Sequence, residues 1–249
     1  MGYILEVCAD SVQSAVEAKK GGADRIELCS NLLIGGTTPG KSLFRLVKEY
    51  TGLPVRTLIR PRFGDFCYDA YEFEMMKEEV QMFTEMGADG VVIGVLNPDG
   101  SLQMEQMEEL VKAAGGAGKT LHRAFDMCKD PFETCSQAVD LGIDTILTSG
   151  QKNSAWEGKA LLAELEQKFG KDITLLAGAG VSPKTLEELA VETKLHAFHM
   201  SGKIIKESRM EFRRDDVNMG LKGFSEYEIW QTSMEQVAKA REILDRLAG

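Results

Sequence analysis

The sequence predicts a (β/α)8 barrel of the α/β class, and three observations carry that expectation. Short apolar runs rich in β-branched residues alternate with longer amphipathic segments, and eight such pairs can be counted. At 249 residues and 43% hydrophobic composition, the chain has the usual length of one such barrel and enough apolar surface for one large core. Three turns repeat one device: Gly22-Ala23-Asp24, Gly87-Ala88-Asp89 and Gly142-Ile143-Asp144 each place a glycine helix stop and an acid before a strand. No Pro-, Ser- or charge-rich stretch reads as a linker, so a single domain over residues 1–249 is expected. An open doubly wound sheet would have fewer strands and a glycine fingerprint after the first; here Ala9-Asp10-Ser11 caps a helix instead.

In chain order, the first strand is read at Tyr3 to Ala9 and its helix at Ser11 to Lys20, and the second pair at Arg25 to Cys29 and Lys41 to Tyr50. Val55 to Arg60 precedes Glu72 to Met86, and Gly90 to Val95 precedes Met104 to Ala114. Thr120 to Phe125 leads to Pro131 to Asp140, where Asp130 caps and Pro131 takes the first helical position. Thr145 to Thr148 leads to Ala155 to Lys168, and Thr174 to Ala177 to Pro183 to Glu192, with Ser182-Pro183 read as a second such start. The eighth strand, Ala197 to Met200, is separated from the last helix, Ser233 to Leu247, by a polar non-repeating insertion at 203–232. That insertion is expected over the barrel mouth or against another subunit.

A net charge of −10 and a pI near 5.0 argue against a nucleic-acid partner, which needs a basic stripe to neutralise phosphates. No apolar run approaches the roughly 20 residues of a spanning helix, and the first residues lack the basic and apolar regions of a signal peptide, so no membrane partner and a cytoplasmic location are expected. The five cysteines are odd in number and widely spread, which favours free thiols over a disulfide framework.

In such a barrel the carboxyl ends of the strands face the site. Reading those places yields Glu6, Cys8, Glu27, Cys29, Arg60, Arg62, His122, Arg123, Asp126, Ser149, Gly178, Gly180, His199 and Ser201. Alternation puts Glu6 with Cys8 and Glu27 with Cys29 on one face, and His122 with Asp126 if the fifth strand runs that far. Carboxylates inside a strand covered on both faces need cations, and Arg60, Arg123 or His122 are the nearest candidates in strand order. Glu27, His122, Asp126 and His199 are candidate proton carriers. Arg60, Arg62, Arg123 and Ser149, with the turns at Gly178, Gly180, Ser201 and Gly202, could hold an anion on side chains and backbone N–H groups. Cys8 and Cys29, if they approach each other across adjacent strands, would suit Cu(I), although both also read as small buried apolar residues. No lysine ends an assigned strand, which speaks against Schiff-base chemistry, and no H-x-H or H-E-x-x-H arrangement supports a hydrolytic zinc site.

Together these strand-end motifs resemble the CutC family, named as copper homeostasis proteins. The matching stretches are Glu6-Val7-Cys8, Gly22 to Cys29, Gly35-Gly36-Thr37-Thr38-Pro39, Ile59-Arg60-Pro61-Arg62 with Gly64-Asp65-Phe66, His122-Arg123-Ala124-Phe125-Asp126, Leu147-Thr148-Ser149-Gly150 and Ser201-Gly202. Gly40, Phe63 and Ala179 depart from the usual pattern. The resemblance implies a cytoplasmic TIM barrel that forms a homo-oligomer and is associated with copper tolerance or Cu(I) binding. It fixes no reaction, and the mouth is richer in arginine, carboxylate and histidine than in sulfur. Two functions are therefore expected to compete: a copper homeostasis protein with Cys8 and Cys29 as soft ligands, and an enzyme doing acid/base chemistry on a small phosphorylated or carboxylated metabolite. The partner is correspondingly a metal ion or a small anionic molecule.

Overall fold

The structure, a computed structural model, describes residues 2–214, 216–221 and 223–249. Eight parallel strands close in sequence order: β1 Ile4–Ala9, β2 Arg25–Leu28, β3 Val55–Leu58, β4 Gly90–Ile93, β5 Gly118–Leu121, β6 Thr145–Thr148, β7 Thr174–Ala177 and β8 Ala197–Met200, with β8 pairing back onto β1. Around them lie α1 Val12–Lys20, α2 Lys41–Thr51, α3 Ala70–Glu85, α4 Met104–Ala114, α5 Pro131–Asp140, α6 Lys159–Phe169, α7 Leu186–Thr193 and α8 Met234–Ala248. The expected (β/α)8 barrel is present. Its largest apolar core lies between sheet and helices, where outward-facing Val7, Ile26, Val91, Leu121 and Phe198 meet Phe44, Met76, Phe83, Met107 and Leu162.

The repeated glycine-acid turns have a definite job at the amino-terminal end of the barrel. Gly22, Gly87 and Gly142 adopt φ of +88°, +86° and +72°, a left-handed conformation that side chains resist. The acid two residues on then clasps the strand before it. Asp24 accepts from the Leu5 N–H at 2.6 Å, Asp89 from Val55 at 2.8 Å and Asp144 from Lys119 at 2.6 Å, while the acids' own N–H groups donate to Leu5, Val55 and Lys119.

Three boundaries depart from the sequence reading by three residues or more. Strand five stops at Leu121 because His122 caps the next turn: its Nδ1 accepts from the Ala124 N–H at 3.1 Å and turns Arg123–Met127 into a 3-10 helix. Alternation therefore does not relate His122 to Asp126. Helix α7 begins at Leu186 rather than Pro183, since the Thr185 hydroxyl accepts the Ser182 N–H and folds that stretch into a turn. Helix α6 begins at Lys159, after a turn closed by the Gly158 N–H on the Ser154 carbonyl.

Of the insertion, Lys203–Glu207 (β9) and Glu228–Thr232 (β10) form an antiparallel hairpin, while residues 215 and 222 lie outside the described residues. Its base is tied to the barrel, as Thr232 donates its hydroxyl to the Ser201 carbonyl and its N–H to the Ser14 hydroxyl. The side chains of β9 are exposed, so the hairpin borders the mouth and does not cover it. Among the described residues no helix is long and apolar enough to cross a membrane.

Candidate functional site

Parallel register decides which side chains share the lumen. Glu6 pairs with Arg25 and His199, and Cys8 pairs with Glu27, so these five residues enter the barrel together. The strand-order expectation for the partner of Glu6 is corrected here: it is held by Arg25 and by His199, whose Nδ1 lies 2.8 Å away, not by Arg60, Arg123 or His122. The signal was available, since Arg25 stands two residues before Glu27 on the same face. Small apolar groups occupy other parts of the lumen, Cys29 with Leu58 and Val92, and Leu147 with Leu176 and Ala197.

Above these layers, at the carboxyl ends of the strands, opens a pocket of about 380 Å3. Eight of the expected site residues line it: Cys8, Glu27, Arg60, His122, Arg123, Gly180, His199 and Ser201. Lys203 lines it too, and sequence reasoning misses it because Ser201-Gly202-Lys203 stands out by its glycine alone. The remaining expectations fall elsewhere. Arg62 turns outward to Glu72 at 2.6 Å and Asp65 at 3.0 Å. Asp126 is engaged as an acceptor, taking the Thr148 hydroxyl, the Ser149 and Gln151 N–H groups and Arg123 Nε, and it lies outside the pocket lining; Ser149 is buried beside it. Gly178 backs onto Leu147, and Gly202 onto Val237.

Cys29 lies outside the pocket lining. Its Sγ–H points at the Ala9 carbonyl at 3.7 Å, and burial, then the neighbouring Cys8, pushes its thiol well above the usual range. The group that does converge is Cys8, Glu27 and His199, whose candidate ligand atoms all lie within 4.8 Å of one another. This donor set fits a soft or borderline metal: one sulfur, one imidazole Nε2 and one flanking carboxylate. Glu6 on His199 Nδ1 reproduces the carboxylate that metal-binding histidines commonly use to fix their tautomer.

The electrostatics divide these groups. For Glu6, burial alone would raise the carboxyl, but the His199 hydrogen bond and Arg25 outweigh it and hold it down at about 2. Glu27 has no such close partner, the His199 Nε2 being 3.7 Å away; burial, with the negative charge of Glu6, pushes it up to about 7. Burial disfavours the charged His199 ring, yet Cys8, Glu27 and Glu6 around it keep its pKa well above the ordinary value. His122 goes the other way. Burial and then Arg60 push it down to about 3, so the ring is neutral and, with Nδ1 accepting from Ala124, carries its proton on Nε2.

A closed parallel barrel with an ionisable, thiol-bearing mouth belongs to the class of TIM barrels whose site is built from strand ends. The chain belongs to the CutC family, whose model matches residues 3–204. It is 39% identical to a CutC family protein of Histophilus somni over 96% of this chain and 98% of that one. It is 40% identical to the mouse copper homeostasis protein cutC homolog over 95% and 87% of the two chains. The crystal structure of a copper homeostasis protein CutC from Streptococcus agalactiae superposes with a TM-score of 0.76 at 29% identity, covering 80% of this chain and 98% of that one.

Proposed function

We propose that the protein serves copper homeostasis by holding Cu(I) on Cys8 and His199, with Glu27 alongside. The carrying observation is the convergence of these three buried side chains within 4.8 Å in a pocket that opens at the barrel mouth. Thiolate and imidazole suit the soft ion, and both must shed a proton to bind it. Glu6 retains the Nδ1 proton, so the nitrogen offered to the metal is Nε2, the one facing Glu27. Titration against a colorimetric Cu(I) chelator tests the assignment. Cys8→Ser and His199→Asn should each weaken Cu(I) about tenfold or more, whereas Cys29→Ser should stay within about threefold of the parent. Loss in Cys29→Ser with retention in Cys8→Ser would move the site to the other thiol.

A second reading, an acid/base enzyme, is favoured by Glu27 itself. A carboxyl at about 7 can take and return a proton near neutrality, and it lies in a pocket that also carries Arg60, Arg123 and Lys203. Incorporation of solvent deuterium into a bound metabolite, lost in Glu27→Gln, is its test.

The free cysteines suit a reducing, cytoplasmic setting. The insertion, which exposes Met210, Phe212, Met219 and Ile229, suits self-association, since apolar surface of this kind in one segment is covered by a partner more often than left in water.

A further inference from the structure

Two cations at the mouth have no carboxylate partner among the described residues. Arg60 is only 8% exposed, yet among the described residues it makes no ion pair. Its guanidinium donates to the carbonyls of Gly35, Gly36 and Gly64 at 3.2, 3.0 and 2.8 Å, and its Nε has no acceptor there. Phe66 closes one side of it, with the ring centroid 5.0 Å from the guanidinium carbon. Carbonyl dipoles orient such a group but leave its full charge, and a buried charge without a counter-charge is costly. Lys203, on the rim, meets the Trp230 ring at 4.4 Å and likewise makes no ion pair among the described residues.

Neutral donors join them. His122 is 4% exposed and lines the same pocket, and its Nε2 has no acceptor among the described residues. Gly94 makes room for that ring, since a Cβ there would sit 2.5 Å from His122 Cε1. On the facing wall, Ala179 and Gly180 both adopt left-handed φ, +70° and +74°, and with Val181 they line the pocket. The amides of these three residues donate to no backbone carbonyl among the described residues. Consecutive amides in such a turn, in the loops after the seventh and eighth strands, form the kind of concavity that receives phosphate oxygens. Left-handed alanine is strained, and such strain concentrates at ligand-binding turns.

We propose that the pocket binds a small organic phosphate, with its phosphoryl group on the Ala179-Gly180-Val181 turn and Lys203, and an oxygen at its far end on Arg60 and His122. The volume, about 380 Å3, lies at the small end of metabolite pockets. This names the ligand class of the acid/base reading but does not depend on the copper ligands. Binding also needs no turnover, so the two can fail separately.

The test uses the full chain, titrated with inorganic phosphate, 3-phosphoglycerate and glycerate, and followed by the amide resonances of residues 179–181. Both phosphates should shift those amides, 3-phosphoglycerate should bind at least tenfold tighter than inorganic phosphate, and glycerate should bind weakest. Lys203→Met, at an exposed position, should weaken 3-phosphoglycerate about tenfold, and Lys171→Met, an exposed lysine ahead of β7 at the opposite end of the barrel, should leave it unchanged. Arg60→Met should remove the advantage of 3-phosphoglycerate over inorganic phosphate; if it fails to fold, the Lys203 variant still decides. Equal binding of glycerate and 3-phosphoglycerate, an unaltered Lys203→Met titration, or no shift at millimolar ligand would each overturn the proposal. Solvent deuterium appearing in bound 3-phosphoglycerate reports the acid/base reading separately.

Discussion

Arg56 and Arg60 lie on the same face of one strand and its extension, one turned to the floor of the barrel and one to its mouth. The floor arginine is fully answered. Arg56 reaches Asp144 at 2.7 Å and the hydroxyls of Thr120 and Thr145 at 2.6 and 3.2 Å, and Gly90 and Gly118 leave out the side chains that would collide with it. Among the described residues the mouth arginine donates to loop carbonyls alone, and its Nε has no acceptor. The same residue type, buried to a similar degree, thus closes a structural network in one place and keeps its charge without a carboxylate partner among the described residues in the other.

Stability measurements can break this contrast, and the largest effect belongs to the floor. Arg56→Met should cost about 3 kcal/mol in urea unfolding, because it strands the Asp144 carboxylate, with some of that offset by the partial exposure of Asp144. Arg60→Met should cost about 1 kcal/mol or less, since it orphans carbonyls and no charge. A reversed order would make Arg60 the structural member. Glu27 gives an intermediate effect. Its folded-state pKa of about 7 lies above the ordinary carboxyl value of 4.5, so its contribution to stability is complete below about 4.5 and is lost as pH rises through 7. Glu27→Gln should flatten the pH dependence of unfolding over that window and be the more stable protein at pH 8, by on the order of 2 kcal/mol. The smallest effect sharpens the contrast from the rim. Lys203→Met, having no ionic partner to strand among the described residues, should unfold within about 0.5 kcal/mol of the parent at every pH.

The barrel was legible because its signals are periodic: eight apolar runs, the glycine-acid turns and the Asp130 cap all act locally, and the structure follows them. The site was legible by location and less so by pairing. Strand-end reading found Cys8, Glu27, Arg60, His122 and His199, but their partners depend on register around a closed sheet, which sequence order conceals. Asp126 illustrates the limit. A polar residue near a strand end looks catalytic until Thr148 at the end of β6, Ser149 and Gln151 of the loop after it, and its own neighbour Arg123 donate to its carboxylate. Cys29 shows the converse, since its neighbours Leu58 and Val92 come from strands remote in sequence and make its surroundings apolar.

The clasps of Asp24, Asp89 and Asp144 are confined to the end of the barrel where no site residue lies. They work as foundations set apart from the workshop above: each locks a strand to its neighbour without touching a mouth loop. The loops after β2, β3, β7 and β8 are thereby free to be exchanged or redesigned, and the frame offers itself as a socket whose fittings can be replaced while its footing stays in place.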